Sequence, residues 1–598
     1  MELLSVENVT FRYPKAPSDA LHGVSLSVSD GQWAVLCGLS GCGKSTLLRL
    51  IKRELAPFGQ MSGLILFDGK TACKTALSKG SGNRPLPDSG SQDAASEESD
   101  TVLSDRDAAT GIGIVLQDPE SQIVTDEVWH ELAFGLENLG LPSDTIRRRV
   151  AEMASFFGIE SWYHRKTYEL SGGQKQLLNL ASALVMNPRL LLLDEPTAQL
   201  DPIAATEFRN VLTRINRDLG VTILMAEHRL EDVLPLADRI FLMDSGSIAS
   251  AGTPAEVAQY LYAHSHPMAE ALPAATRVYF AITGRSAGSG ETTPAGDTAM
   301  PFTVRDGRAL LTKHARESDI FRKPRSEGAP ISGEIALEAR DLRFRYAKQS
   351  PDVLSGATIS LHAGEHYCLL GGNGSGKTTL LSLLAGLTKP YAGSIRLFTR
   401  KMTSFGPGEL YRNNLALLPQ QPRDVFVEKT IREDLQNAFR RMENEPAMQQ
   451  LCERLRITDI LDSHPYDVSG GELQKAALAK VLASRPKVLL LDEPTKGIDV
   501  RGKHELAGLL DELREEGLAV LSVTHDAEWA AEHADRCGLL FDGEVISEGL
   551  PGTFFADNAF YTTAANRMAR GIIDGAITVG DVIDSCCRTC DDTAEVSL

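Results

Sequence analysis

The sequence predicts an α/β protein built as two tandem copies of one domain, each organised around a mostly parallel core sheet. Three observations lead there. A β-rich run passes through glycines into an apolar helix at VLCGLSGCGKSTLLRLI, and the same pattern returns around GGNGSGKTT. The runs VMNPRLLLLDEP and KVLLLDEP are short, continuously apolar and end in two acids, as strands covered on both faces do. Matching motifs also keep a nearly constant separation along the chain, which is the mark of an internal duplication.

At 598 residues the chain accommodates two domains of roughly 250 residues each. The expected boundaries are a first domain at 1–264, a linker at 265–334, a second domain at 335–560 and an extension at 561–598. A net charge of −19 argues against a broad basic face for nucleic-acid backbones, so no nucleic-acid partner is expected. No apolar run reaches the ~18–20 residues that span a bilayer. The opening MELLSVENVTFRY lacks a secretory apolar core. A cytoplasmic location is therefore expected, with any membrane crossing left to another subunit. The nine cysteines form no paired framework. One CxxC within the terminal CCRTC falls short of a four-ligand metal set.

The register of the repeat locates one insertion. Tyr346 follows Tyr13 by 333 residues, as Lys377 follows Lys44. Gln420 follows Gln117 by 303, Ser469 follows Ser171 and Asp492 follows Asp194 by 298, and His525 follows His228 by 297. The first half thus carries an excess of 30 residues between its loop and its glutamine. That excess coincides with Ser78 to Gly111, rich in Ser, Gly, Asp and Pro, and is expected to be a disordered surface excursion. The connector is mixed: TRVYFAITG is apolar, GRSAGSGETTPAGDTA is linker-like, and PFTVRDGRALLTKHARES suits a helix. A small helical element is expected near the C-terminus.

The chemistry follows from residue types in these places. Gly38, Leu39, Ser40, Gly41, Cys42, Gly43, Lys44, Ser45 and Thr46 form one G-x4-G-K-[ST] loop. Gly371, Gly372, Asn373, Gly374, Ser375, Gly376, Lys377, Thr378 and Thr379 form the other. Glycines let backbone amides converge on phosphate oxygens at the positive end of the following helix. Lys44 and Lys377 are placed for the β/γ-phosphates of ATP, and Ser45 and Thr378 for Mg²⁺. Asp194 and Asp492 end their strands, where each would hold Mg²⁺ through water. The adjacent Glu195 and Glu493 are candidates to polarise the attacking water. His228 and His525 follow matching strands at a matching offset, which favours a catalytic over a structural role. Tyr13 and Tyr346 are candidates to stack on adenine, an ordinary buried aromatic being the competing reading.

Ser171-Gly172-Gly173-Gln174 and Ser469-Gly470-Gly471-Glu472 narrow the class, because a glycine-rich loop followed by this element resembles the ABC (ATP-binding cassette) ATPases. The resemblance implies that each domain adds an antiparallel β subdomain and a helical subdomain to its core sheet. It makes His228 and His525 switch histidines that contact the γ-phosphate. It makes Gln117 and Gln420 the Q-loop residues that link the metal site to a transmembrane partner. It also implies that the two cassettes pair head-to-tail within the chain. Lys44, Glu195 and His228 would be closed by Ser469-Gly470-Gly471, and Lys377, Glu493 and His525 by Ser171-Gly172-Gly173. The second element departs from the family's usual LSGGQ by reading VSGGE, which puts equal activity of the two sites in question.

Longer stretches resemble the ATPases of energy-coupling factor (ECF) importers: VLQDPESQIVTDEVWHELAFGLENLGLP, LSGGQKQLLNLASALVMNPRLLLLDEPTAQLDPIAA and MAEHRLEDVLPLADRIFLMDSG. PFTVRDGRALL and FYTTAANRMARG are similar to segments of their fused double-cassette form. That resemblance implies uptake of a vitamin or of a transition-metal ion such as cobalt or nickel. It implies a transmembrane coupling subunit and a substrate-capturing membrane subunit as partners, and a peripheral place on the cytoplasmic face of the membrane. The surface after each Q-loop, including Gln122, Val124, Val425 and Val427, is the expected grip on the coupling subunit. Competing readings are a double-cassette factor acting on the ribosome, which usually has a long charged linker, and a DNA-repair ATPase, which needs a coiled coil inside a cassette.

Overall fold

A computed structural model describes residues 1–14, 16–74, 102–286, 300–317, 333–406, 408–442 and 445–587. The chain divides into two compact units, Met1–Leu272 and Pro273–Leu598.

In the first unit, the strand Glu2–Arg12 pairs antiparallel with Leu21–Ser29 on one side and Gln60–Phe67 on the other, and Lys70–Lys74 closes a four-stranded sheet. The core sheet has six strands in the order Ser247–Gly252, Arg239–Asp244, Trp33–Cys37, Thr222–Glu227, Leu190–Asp194 and Ile112–Val115. Every pair in it is parallel except the outermost, Ser247–Gly252 with Arg239–Asp244. Three central strands, Trp33–Cys37, Leu190–Asp194 and Thr222–Glu227, are buried along their whole length. Continuous apolar runs tolerate this, because helices cover both faces of such a sheet. The helices Val128–Asn138, Ser143–Phe157 and Gly172–Leu184 pack around their own core of Val128, Leu132, Leu136, Val150, Ala154 and Leu178.

The second unit repeats this plan. Its antiparallel sheet contains Leu354–His362, Ile335–Phe344, Ala392–Leu397 and Arg400–Lys401. Its six-stranded sheet runs Leu415–Leu418, Val488–Asp492, Ala519–Thr524, His366–Leu370, Arg536–Phe541 and Glu544–Gly549. The expected fold class is present in both halves.

Three local findings refine the sequence reading. The run VMNPRLLLLDEP is strand only over Leu190–Asp194, because Asn187 takes a left-handed φ of 61° and Pro188 follows it. The expected surface excursion does not extend to Gly111. Residues 105–111 form a helix, with Ser104 as N-cap accepting the amide of Asp107. Leu103 and Ala108 are buried in the first core, and Arg53 and Lys52 bond the carbonyls of Leu103 and Ala108. Burial and capping outweigh a composition that favours disorder. Residues 78–101 of that expectation lie outside the described residues.

The connector and the C-terminal extension also meet. The helices Ala274–Ser286, Val304–Glu317, Ala564–Ala569 and Val579–Cys587 enclose a separate apolar core. Ala275, Val278, Leu311, Ala565, Met568 and Val582 are buried there. Neither segment has enough apolar residues for a core alone, and together they close one. Of the terminal CCRTC, Cys586 and Cys587 lie in the last helix, while Cys590 is outside the described residues.

Gly307 faces this small core. A Cβ on it would lie 2.7 Å from the Cβ of Ala275 and still nearer the Met568 sulfur. Gly307→Val should therefore cost about 1–3 kcal/mol by overpacking. Thermal unfolding of the whole chain measures this, and an unchanged melting temperature would show that the core yields.

Candidate functional site

Each site is assembled at the carboxyl ends of parallel strands, where the chain leaves the sheet and its polar groups converge. In the first unit the strand Trp33–Cys37 delivers the glycine loop, and the helix Lys44–Ile51 starts directly from it. Gly38 must be glycine: its φ is 156°, and a Cβ would sit 2.2 Å from the Met243 carbonyl oxygen. Lys44 is almost wholly buried, and its ammonium donates to the carbonyls of Gly38 at 2.8 Å and Leu39 at 3.0 Å. That folds it back over the glycine loop. Lys377 does the same with Gly371 at 2.9 Å and Gly372 at 3.0 Å.

The strands Leu190–Asp194 and Val488–Asp492 deliver the acids. Glu195 and Glu493 follow them with φ of 44° and 51°, a left-handed conformation that non-glycine residues rarely adopt. Backbone bonds to the neighbouring strand hold that turn, Glu195 N to Ala226 O at 3.0 Å and Glu493 N to Val523 O at 2.9 Å. The turn aims each glutamate at its histidine. Glu195 Oε2 lies 3.3 Å from His228 Nδ1, and Glu493 Oε2 lies 2.8 Å from His525 Nδ1. Lys44 Nζ stands 3.8 Å from Glu195 Oε1.

Burial alone would raise both carboxyls, but the charges around them win. His228, Lys44 and Arg229 hold Glu195 down at about 2. His525 and Lys377 likewise hold Glu493 below the ordinary carboxylate range. Both glutamates are therefore ionised at neutral pH. A buried ionised carboxylate accepts hydrogen bonds strongly, which suits it to grip a water molecule.

Gln117 donates to Glu195 Oε2 at 3.1 Å. Gln420 occupies the equivalent place after its strand but makes no such bond among the described residues. Tyr13 and Tyr346 anchor their hydroxyls identically, each 3.0 Å from the Oγ1 of the loop threonine, Thr46 or Thr379. This fixes both rings beside the glycine loops. Tyr346 is 71% exposed, so the reading of it as an ordinary buried aromatic fails.

The signature elements lie at the starts of the helices Gly172–Leu184 and Gly470–Leu482. Both serines close a capping box, Ser171 with Gln174 and Ser469 with Glu472. The replacement of glutamine by glutamate has a consequence. Ser469 Oγ donates to the Glu472 carboxylate at 2.7 Å, so its proton is committed inside its own helix cap. Both serines accept the backbone amide three residues on, Ser171 from Gln174 at 3.3 Å and Ser469 from Glu472 at 3.4 Å, but among the described residues Ser171 makes no donation to Gln174. No heavy atom lies within 4 Å of where a Cβ on Gly172 would point, so local packing does not demand that glycine.

The ABC transporter family model matches residues 21–198 and 354–496, once in each half. A Bacillus thuringiensis protein provisionally named an ABC transporter ATP-binding protein is 38% identical over 97% of this chain and 98% of its own length. The chain belongs to the ABC transporter family. A Streptomyces coelicolor relative, also provisionally named an ABC transporter ATP-binding protein, is 36% identical over 92% of this chain and 94% of its own. A Bacillus subtilis relative, provisionally named an HMP/thiamine import ATP-binding protein, is 31% identical over 93% of each chain. The solved structure of cbiO1 from Clostridium perfringens, part of the ABC transporter complex cbiONQ, is 32% identical. It covers 44% of this chain and 92% of its own, with a TM-score of 0.35. This ABC protein is an ATPase with two tandem cassettes, the ATP-binding component of a transporter.

The metal-binding expectation fits the residues present. Ser45 Oγ donates to Asp194 Oδ1 at 2.8 Å, and burial raises the Asp194 carboxyl. Asp492 is pushed up to about 6 by burial, and its Oδ1 is buried without a hydrogen-bond partner among the described residues. A desolvated carboxylate beside a hydroxyl is short of positive charge, and Mg²⁺ would supply it.

Sequence reasoning overlooked Glu227 in this ABC cassette. It ends the strand Thr222–Glu227, is 1% exposed, and neither carboxyl oxygen has a hydrogen-bond partner among the described residues. The second cassette has Thr524 there, so the repeat itself carried the signal, as a mismatch. Burial, opposed by His228 and Arg229 and reinforced by Glu195, raises Glu227 to about 7. Its folded value exceeds its unfolded one, so the folded state binds the extra proton between about pH 4.5 and 7. Stability is therefore lost as pH rises through that window, by about 3 kcal/mol. Glu227→Gln should accordingly stabilise the protein at pH 8 and have little effect near pH 4.5. Denaturant midpoints at the two pH values test the sign.

Proposed function

We propose that this chain is the energy-coupling subunit of an ECF-type importer, hydrolysing ATP to power uptake of a vitamin or transition-metal ion through separate membrane subunits. The observation that carries this reading is the complete Lys–Glu–His constellation in each cassette. Its support includes the Q-loop and HRLE stretches and the likeness across 93% of the chain to a relative named for HMP/thiamine import. Among the described residues no helix is long and apolar enough to cross a membrane, so the pathway would belong to the partners. Those partners are a transmembrane coupling subunit and a substrate-capture subunit, with this chain peripheral on the cytoplasmic face. The ribosomal alternative finds no support in the relatives, which are named as transporter or import proteins.

In this reading the loops Gly38–Thr46 and Gly371–Thr379 grip the phosphates of ATP, and Tyr13 and Tyr346 stack on adenine. Ser45 and Asp194, with Gln117, would hold Mg²⁺ in one site, and Thr378, Asp492 and Gln420 in the other. Mg²⁺ when bound neutralises charge on the transferred phosphoryl group. Glu195 and Glu493, already ionised, orient the attacking water and accept its proton. His228 and His525, held by those glutamates, present Nε2 toward the γ-phosphate; the buried Nε2 of His228 has no hydrogen-bond partner among the described residues. The signature serines and glycines of each cassette cap the ATP gripped by the other. One covalent chain makes that pairing intramolecular and raises its effective concentration.

Glu195→Gln combined with Glu493→Gln should lower phosphate release by about 10²–10⁴-fold while ATP still binds. A double variant that keeps the wild-type rate removes both residues from the chemistry. With the Lys377 pocket silenced by Glu493→Gln, Ser469→Arg should lower the remaining turnover by about 10²-fold. Unchanged turnover in that background would reject the cross-paired arrangement.

A further inference from the structure

The second glycine loop has a neighbour from the far end of the chain. A Cβ placed on Gly372 would lie 3.4 Å from the Tyr561 hydroxyl oxygen, so the tyrosine stands in contact with the loop. Gly372 also carries one of the two carbonyls to which Lys377 donates, at 3.0 Å. Its φ is not positive, so backbone geometry does not demand glycine there. In the first loop the same register position, 333 residues earlier, is Leu39. A residue without a side chain leaves room at Gly372 for the end of the tyrosine ring.

The two cassettes part ways just before this contact. Gly252 and Gly549 end matching strands 297 residues apart, and the same register sets His264 against Tyr561. The helix Pro254–Ala263 has 10 residues, whereas Pro551–Asp557 has 7. His264 stays with the longer helix: its ring stacks on Tyr260 at 4.1 Å, and its Nδ1 lies 2.9 Å from the Tyr260 carbonyl oxygen. Tyr561 follows the shorter helix and returns to the loop. Its segment is pinned by groups that are themselves buried. Thr562 Oγ1 donates to the Phe555 carbonyl at 2.6 Å, and Thr563 Oγ1 donates to that of Ile577. Arg570 donates to the carbonyls of Ala556 at 2.7 Å and Asn558 at 2.6 Å.

A second tie runs to the segment of His525. That histidine is followed by the helix Ala527–His533, whose Glu528 accepts the amide of Ala564, the first residue of the helix Ala564–Ala569. An amide in the first turn has no partner inside its own helix, and a carboxylate suits it in both hydrogen bonding and charge. Tyr561 lies just before that amide, and its ring packs against a core that includes Trp529 of the same helix, with Phe554 and Phe555. Glycine loop, histidine segment and C-terminal segment are thus fastened at one place. The Tyr561 hydroxyl has no hydrogen-bond partner among the described residues. Burial accounts for the ring, and the contact with Gly372 accounts for the oxygen.

We propose that Tyr561 is a positioning residue of the second nucleotide site: its hydroxyl braces the glycine loop at Gly372, while Glu528 ties the segment carrying it to the helix after His525. The inference rests on the reading of residues 371–379 as the grip on phosphate, and it adds that the C-terminal segment completes this pocket. Amides that must converge on phosphate oxygens bind best when the loop already holds their geometry, because less ordering is left to the binding step. The brace acts on Lys377 as well, since Gly372 supplies one of the carbonyls that hold its ammonium. The two loops therefore share their chemistry and differ in their support.

The test is Tyr561→Phe in the full chain, which keeps the ring in its core and removes only the oxygen at Gly372. In the nucleotide-free protein, the amides of residues 372–376 should exchange hydrogen about threefold faster, with those of residues 38–43 unchanged. ATP affinity of the second pocket is measured by titration in a Lys44→Ala/Glu493→Gln background, where the first loop lacks its lysine and hydrolysis at the second is slowed. There Tyr561→Phe should weaken binding about threefold. Glu528→Ala should weaken it in the same direction, and Glu528→Gln, which keeps an acceptor oxygen, should match the background. Exchange and affinity equal to the parent's overturn the brace and leave Tyr561 a core residue. Equal loosening of both loops overturns it as well, since that is a loss of global stability. Faster exchange confined to the second loop with unchanged affinity overturns the role in nucleotide binding. If the background itself binds no ATP, the nucleotide reading of this pocket fails, and the exchange measurement alone decides whether Tyr561 braces the loop.

Discussion

A carboxylate kept ionised inside a dry strand end is the constraint on which both sites depend. Glu195 and Glu493 are pressed into left-handed turns at the ends of fully buried strands, where desolvation works against their charge. Each survives as an anion only because a histidine and the phosphate-loop lysine stand beside it. The same cations are the candidate ligands of the nucleotide phosphates, so in the proposed site the glutamate's charge and the loop's charge are one network. A parallel sheet makes the arrangement possible. Several strands end on the same edge, and residues distant in sequence are delivered within a few ångströms of one another.

The duplication is strict in chemistry and loose in detail. Both lysines fold back on two loop carbonyls, and both tyrosines bond the same loop threonine. The differences are electrostatic. Glu472 takes the Ser469 hydroxyl proton where Gln174 leaves that of Ser171 uncommitted, and the buried Glu227 faces no counterpart but Thr524. Two pockets with the same parts can therefore bind one ligand with unequal energies.

Much of the candidate site was legible because its chemistry needs particular residue types at short range. Glycines with a following lysine, two acids closing an apolar run, and a histidine after a strand all repeat at fixed offsets. Tyr561 escaped that reading, since nothing in FYTTAANRMARG sets one aromatic apart from residues that pack a core. Glycine at 372 against leucine at 39 was a local sign, but it acquires meaning only with the C-terminal segment beside the loop. The connector escaped for another reason. Its helices have too little apolar surface to suggest a core, and the residues that complete it, such as Met568 and Val582, lie nearly 300 positions away.

From its sequence alone the chain is determined to be a duplicated α/β ATPase, because backbone geometry and phosphate chemistry restrict those positions to a few residue types. Tertiary structure decided what depends on burial. It set which carboxylates are ionised, which oxygens go unpartnered, that residues 105–111 are helical, and that connector and tail share a core. Local pattern is blind to these outcomes, because desolvation and pairing arise only when segments far apart in the chain exclude water from one another.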